Sequence, residues 1–114
     1  MADIHPVLGE FEVLLILAIL HLTEAGDEPY GSSIRAEIEA RSGRPVSRGS
    51  IYVTLDRLED KRLLSSRAGA SSSDRGDRPK RVFKVTPAGL KAARASVAAL
   101  TRMQRGLESV LGPF

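Results

Sequence analysis

Gly43-Arg44-Pro45 is the tightest constraint on how this chain can fold. Before it, residues from about Gly31 to Ser42 carry a thin apolar stripe, Ile34 and Ile38 with Ala36, at helical spacing. After it, Ile51, Leu55 and Leu58 repeat at i, i+4 and i+7 behind Ser47, a side chain suited to cap a helix start. Glycine ends the earlier helix by accepting a left-handed backbone. Proline cannot carry that helix onward. Two short helices therefore meet across a turn of a few residues, which is helix-turn-helix spacing.

The rest of the chain fits around that unit. The apolar run FEVLLILAILHL, Phe11 to Leu22, is interrupted by Glu12 and His21. It falls short of the roughly 20 residues that span a bilayer. It reads as a helix from about Gly9 to Thr23, buried nearly all round. Such a helix is either the centre of the core or one whose second apolar side meets a partner subunit, and the two are compatible. Gly26 and Pro29 break the segment that follows. Downstream, LLSSRAG and the alternating KRVFKVT flank the polar loop ASSSDRGDRP, which predicts a β-hairpin with a long tip. Thr86 before Pro87 is a helix start, and the last helix is expected to run to about Leu111. The expected fold is mostly α with a small β-hairpin, a winged helix-turn-helix plus a long C-terminal helix. Residues 1–86 are expected to form the winged helix-turn-helix domain and 87–114 a separate C-terminal helix.

A chain of 114 residues suits one small domain, and 42% apolar content is enough to fold it. The absence of Cys excludes a disulfide framework and thiolate chemistry. It fits a reducing cytosol. The start MADIHPVLGE lacks the basic region of a signal peptide, so a cytoplasmic protein is expected. His5 and His21 have no partners at metal-ligand spacing. No Gly-rich phosphate loop follows a strand, and no nucleophile–base constellation can be named. An enzyme, a metal site, a cofactor and a membrane association are therefore not expected.

Charge gives the first positive indication of function. Residues 1–34 hold six acids and no Lys or Arg, whereas residues 35–114 hold 17 basic residues and eight acids. Such asymmetry suggests a basic working surface facing a polyanion. The third helix adds chemical detail. Its arc opposite the apolar stripe carries Gly49, Ser50, Val53 and Arg57, flanked by Tyr52 and Thr54. Small and hydrogen-bonding residues near a helix N-terminus are what a major groove admits. Ser47 and the N–H groups beside Arg48 can receive a phosphate oxygen. A solvated face on a core helix would account for this arc taken alone. The hairpin shifts the balance. From Arg67 to Lys84 there are six basic residues, with Arg75, Arg78, Lys80 and Arg81 between them, against Asp74 and Asp77. Wings of this kind lie along phosphates or reach into the minor groove. Double-stranded DNA is the expected partner.

The last helix carries a second pattern. Leu90, Val97, Gln104 and Leu111 recur at one heptad position, and Ala93, Leu100, Leu107 and Phe114 at the other. A continuous helix of that length would extend nearly 40 Å at about 1.5 Å per residue. It would expose a stripe that a small domain cannot cover. A helix lying back on its own core is the simpler reading; a homodimerisation arm is the preferred one, with Gln104 fixing register. Phe11 and Leu15 on the first helix are expected to join that interface. With Met103 they would also line a small-molecule effector site between the first and last helices.

These residues resemble the short type of PadR-family transcriptional regulators. The matching stretches are LGEFEVLLILAIL, PYGSSIRAEIE, VSRGSIYVTLDRLEDKRLL and DRPKRVFKVTPAGLKA, which together span about residues 8 to 110. The resemblance implies a homodimeric winged helix that binds operator DNA, most often as a repressor, with some members releasing DNA when a small molecule binds near the dimer interface. By position it implies that Tyr30, Ser47, Arg48, Ser50 and Tyr52 lie at the DNA and that the wing cations follow the backbone. The chain departs from the pattern at Arg62 and Asp77, where the family usually has Gly, and at Phe83, where Tyr is common. It has no Trp to sandwich a flat ligand. A left-handed Arg62 would cost on the order of 1 kcal/mol relative to Gly. The alternative function is a winged-helix protein-interaction module without specific DNA binding, since fold does not fix function.

Overall fold

A computed structural model describes residues 7–69 and 80–112. The elements in chain order are α1 (Glu10–Glu24), α2 (Gly31–Ser42), α3 (Arg48–Asp60), β1 (Leu64–Ala68), β2 (Arg81–Val85), α4 (Pro87–Gln104) and α5 (Glu108–Leu111). The fold is mostly helical with a two-stranded antiparallel hairpin.

Helix α1 is the centre. It touches α2, α3, β2 and α4, and Leu15, Ile16 and Ile19 are fully buried among them. Each such side chain contributes roughly 1.5–3 kcal/mol by leaving water. Ile34 and Ile38 of α2 and Ile51, Leu55 and Leu58 of α3 close the same core. The Glu12 carboxylate accepts the Gly9 N–H at 2.8 Å and so caps α1. Its other oxygen lies 3.3 Å from Lys61 Nζ, a contact that ties α1 to the end of α3.

The turn between α2 and α3 forms as its residues dictate. Gly43 adopts φ +72° and its N–H donates to Glu39 C=O. Val46 is then gripped from α2 on both sides of its backbone. Arg35 Nε donates to its C=O at 2.7 Å, and a Glu39 carboxylate oxygen accepts its N–H at 2.8 Å. Ser47 Oγ accepts the Ser50 N–H at 3.1 Å and starts α3.

The hairpin pairs Leu64 with Val85 and Ala68 with Arg81. The Phe83 N–H donates to Pro29 C=O at 2.9 Å, which binds the wing to the segment before α2. Arg62 adopts φ +63°, so the turn keeps the left-handed conformation and the strain is tolerated. The Thr86-Pro87-Ala88-Gly89 sequence docks against that turn. Thr86 Oγ1 donates to Arg62 C=O at 2.8 Å and accepts the Gly89 N–H at 3.0 Å. A Cβ on Gly89 would stand 2.1 Å from the Leu63 carbonyl oxygen, so only glycine permits this approach.

Three expectations are corrected. The last helix does not run unbroken to Leu111: α4 ends at Gln104, and Gly106 takes φ +87°. Glycine is the weakest helix former after proline, and the Glu108 carboxylate offers the Gly106 N–H another acceptor at 3.0 Å. The 18 residues of α4 extend about 27 Å, and Leu107 and Leu111 lie beyond the break. Ala93 faces inward beside Ala92 and is buried in the core. Leu15 is likewise sealed inside the protomer, with no exposed surface for a partner, because α1 is covered on the side that carries it. Phe114 and His5 lie outside the described residues.

Candidate nucleic-acid interface

A groove opens between the N-terminal end of α2, the outer face of α3 and the base of the wing. Its walls include Tyr30, Gly31, Arg48, Tyr52, Lys80 and Phe83. Residues far apart in sequence meet here because α3 crosses α2 and β2 returns beside Pro29.

Tyr52 shapes the floor. Its ring lies against Gly31, where a Cβ would come within 2.6–2.8 Å of the phenol carbons and oxygen. Gly31 thus sets the depth at which Tyr52 sits, and 40% of Tyr52 stays exposed. The Arg48 guanidinium stands 5.9 Å from the centre of the same ring, within cation–π range.

Tyr30 caps α2 from the other wall. Its N–H donates to Ser33 Oγ at 2.9 Å, and its hydroxyl donates to Glu28 Oε2 at 2.8 Å. That hydrogen bond to Glu28 is the main reason its phenol pKa is raised; desolvation and the Glu28 charge add to the effect, and Arg67 opposes it. Lys80 Nζ lies 4.9 Å from the Tyr30 ring centre.

The first turn of α3 is open. Arg48, Gly49 and Ser50 are exposed, and a Cβ on Gly49 would meet no atom within 4 Å. The N–H groups of Arg48 and Gly49 stand at the first two helical positions, where no intrahelical acceptor exists. Ser47 Oγ is engaged with the Ser50 N–H and lies 2.7 Å from Ser50 Oγ. Arg57 is exposed one face-width further on.

Two expected contact residues have surroundings that the sequence did not suggest. Thr54 is buried at 5% exposure, not displayed on the outer face. It stands three residues after Ile51 and one before Leu55, so helical geometry turns it inward with them. Arg81, expected among the cations along the backbone, lines the same groove and is also paired with α3. Its guanidinium pairs with Asp56 at 3.2 Å and with Glu59. Arg75 and Arg78 lie outside the described residues.

Sequence reasoning left out several contributors. Arg35 and Glu39, which grip Val46, are visible in sequence only as an i, i+4 ion pair. Glu28 escapes notice because an acid has no evident place beside a polyanion site. Asp56 and Glu59 show their role only once β2 is placed beside α3.

Far from this groove, α4 presents a second surface. Leu90, Val97, Leu100 and Met103 are 39–76% exposed along one side. Gln104 is half-buried at its end, and Phe11 on α1 is half-buried. Among the described residues no group of His, Cys, Asp and Glu is placed to hold a metal ion. No helix among them is long and apolar enough to cross a membrane.

Comparison with known proteins identifies relatives of the same fold. The family described as "Transcriptional regulator PadR-like family" matches residues 19–95. The chain is 38% identical to the Transcriptional regulator Rv3488 of Mycobacterium tuberculosis over 94 residues, 82% of this chain and 76% of that protein. A PadR family transcription regulator from Clostridium difficile superposes with a TM-score of 0.72 at 19% identity, covering 91% of this chain and all of the other. One from Eggerthella lenta gives 0.61 at 24% identity, covering 86% and 83%. With the winged-helix fold and this extent of likeness, the chain belongs to the PadR-like family of transcriptional regulators.

Proposed function

We propose that the protein is a homodimeric repressor that binds a pseudo-palindromic operator in double-stranded DNA. One observation carries the reading: Arg48 and Tyr52 of α3 share a groove with Tyr30 and Lys80, and Gly49 and Ser50 lie exposed on the same first turn of the helix. An α-helix fits the major groove, and its N-terminal residues approach the base edges. Tyr30, Lys80 and the first N–H groups of α3 then hold phosphates on either side. Arg57 extends the contact along the helix. The uncovered apolar side of α4 supports pairing with a second copy, which sets two α3 helices roughly 34 Å apart. Leu90, Val97 and Leu100 supply that contact, joined by Leu107 and Leu111 from beyond the break. The family likeness favours repression over activation. Half-buried Phe11 and exposed Met103 leave apolar surface for an effector near the same interface.

The test is retardation of DNA from upstream of the protein's own gene against a scrambled duplex, at low and near-physiological salt. Tight binding to the native fragment that survives salt, with salt-labile binding to the scramble, establishes a specific regulator. Equal and salt-labile binding to both, for this and other candidate fragments, removes the reading and leaves a protein-docking module.

A further inference from the structure

Arg81 has the sequence position of a wing cation and the surroundings of a structural pin. It sits at the start of β2, where the chain returns from the wing tip. Its guanidinium bonds to Asp56 and Glu59, one helical turn apart on α3, and donates to Ser66 Oγ on β1 at 3.1 Å. Ser66 Oγ in turn donates to the second Glu59 oxygen at 2.6 Å. The guanidinium also lies 4.9 Å from the ring centre of Phe83, a core side chain. One side chain therefore joins α3 to both strands of the hairpin. Its positive charge faces two carboxylates, so it adds little net attraction for a polyanion. Lys80, next to it, has its ammonium over the Tyr30 ring instead.

We infer that Arg81 is a positioning residue: with Asp56, Glu59 and Ser66 it fixes the angle between the wing and α3, and it does not itself touch nucleic acid. The inference rests on the DNA reading proposed above. A wing and a reading helix discriminate one sequence only if both reach the duplex in a single relative orientation. A loosened wing still attracts phosphates but no longer supports one register, so the loss falls on discrimination more than on total attraction.

The experiment compares wild type, Arg81→Glu and the charge-swapped double variant Arg81→Glu/Glu59→Arg. The double variant has the net charge of the wild type. Each is measured on a duplex that the wild type enriches from a random pool and on a scrambled duplex. Amide exchange of β1 and β2 is followed in parallel without DNA, and thermal unfolding confirms that each variant folds. In Arg81→Glu the specific-to-scrambled affinity ratio falls about five- to tenfold, as the loss of an exposed ion-pair network implies, and wing amides exchange faster. In the double variant both recover most of the way. A double variant that regains slow exchange but keeps the full loss of binding overturns the inference, because Arg81 then contacts the duplex directly. Unchanged exchange in Arg81→Glu overturns it as well. A wild type that enriches no sequence defeats the DNA reading, and the exchange rates then decide alone whether the pin exists.

Discussion

Helices α3 and α4 bury one face each in the same core and turn opposite chemistries outward. The free side of α3 opens with Arg48, Gly49 and Ser50, and its exposed large side chains of apolar character are Tyr52 and Val53. The free side of α4 is a run of Leu90, Val97, Leu100 and Met103. The buried positions are Ile51, Thr54, Leu55 and Leu58 in the one and Gly89, Ala92 and Ala93 in the other. The contrast between the free sides suits α3 to a hydrated, charged surface and α4 to an apolar one.

The sharpest way to break that contrast is Leu100→Glu. A charge in the middle of the α4 stripe should leave the helical circular dichroism unchanged, since Leu100 is 55% exposed. Sedimentation should give the 12.3 kDa monomer in place of a dimer. Affinity for a two-half-site operator should fall by about two orders of magnitude with the loss of bivalency. A variant that stays dimeric with unchanged affinity would show that the stripe has another use.

Two glycines sharpen the account of α3. Gly31→Ala drives a Cβ into the Tyr52 ring. Urea unfolding should register a loss of about 1–3 kcal/mol, the range for overpacking, together with weaker operator binding. Gly49→Ala should do the reverse to stability. Nothing stands within 4 Å of the added carbon, and alanine in a helix gains up to ~1 kcal/mol over glycine. Operator affinity should nonetheless fall severalfold as the methyl meets the duplex. Equal affinity in a more stable Gly49→Ala protein would move the closest approach elsewhere on α3.

The smallest effect is expected at the joint between the two surfaces. Arg62 is the non-glycine residue with positive φ among the described residues. Arg62→Gly should relieve the left-handed strain, partly offset by the added freedom of the unfolded chain, for a net gain of about 0.5–1 kcal/mol. Thermal unfolding measures it, and DNA binding should be unaffected.

How much of this could be read from the sequence depended on the range of the interaction. The bounds of α2 and the start of α3 follow from Gly43 and Ser47, whose effects are local, and they appear where expected. The family pattern carried Thr86 and Gly89, but only the packed turn supplies the reason: a carbonyl of Leu63 occupies the space of a side chain. Thr54 was legible and misplaced, because a hydroxyl drew it to the outer face although its spacing set it beside Ile51 and Leu55. Heptad counting carried α4 past Gly106, treating as periodic a residue that gives the backbone freedom to turn. Arg81 was not recoverable from local pattern. Its carboxylates lie 22 and 25 residues earlier, and no periodicity links them.

The docking of Gly89 on the Leu63 carbonyl makes the first turn of α4 a fulcrum. A rod of about 27 Å, fixed at one end, converts one degree of tilt into roughly 0.5 Å of travel at the other. The fulcrum is bonded to the turn that ends α3, so under the DNA reading proposed above the groove-facing helix and the far end of α4 share one lever. If a second copy pairs on α4 as proposed, a tilt it imposes there is passed back, reduced in amplitude, toward the helix that faces the groove.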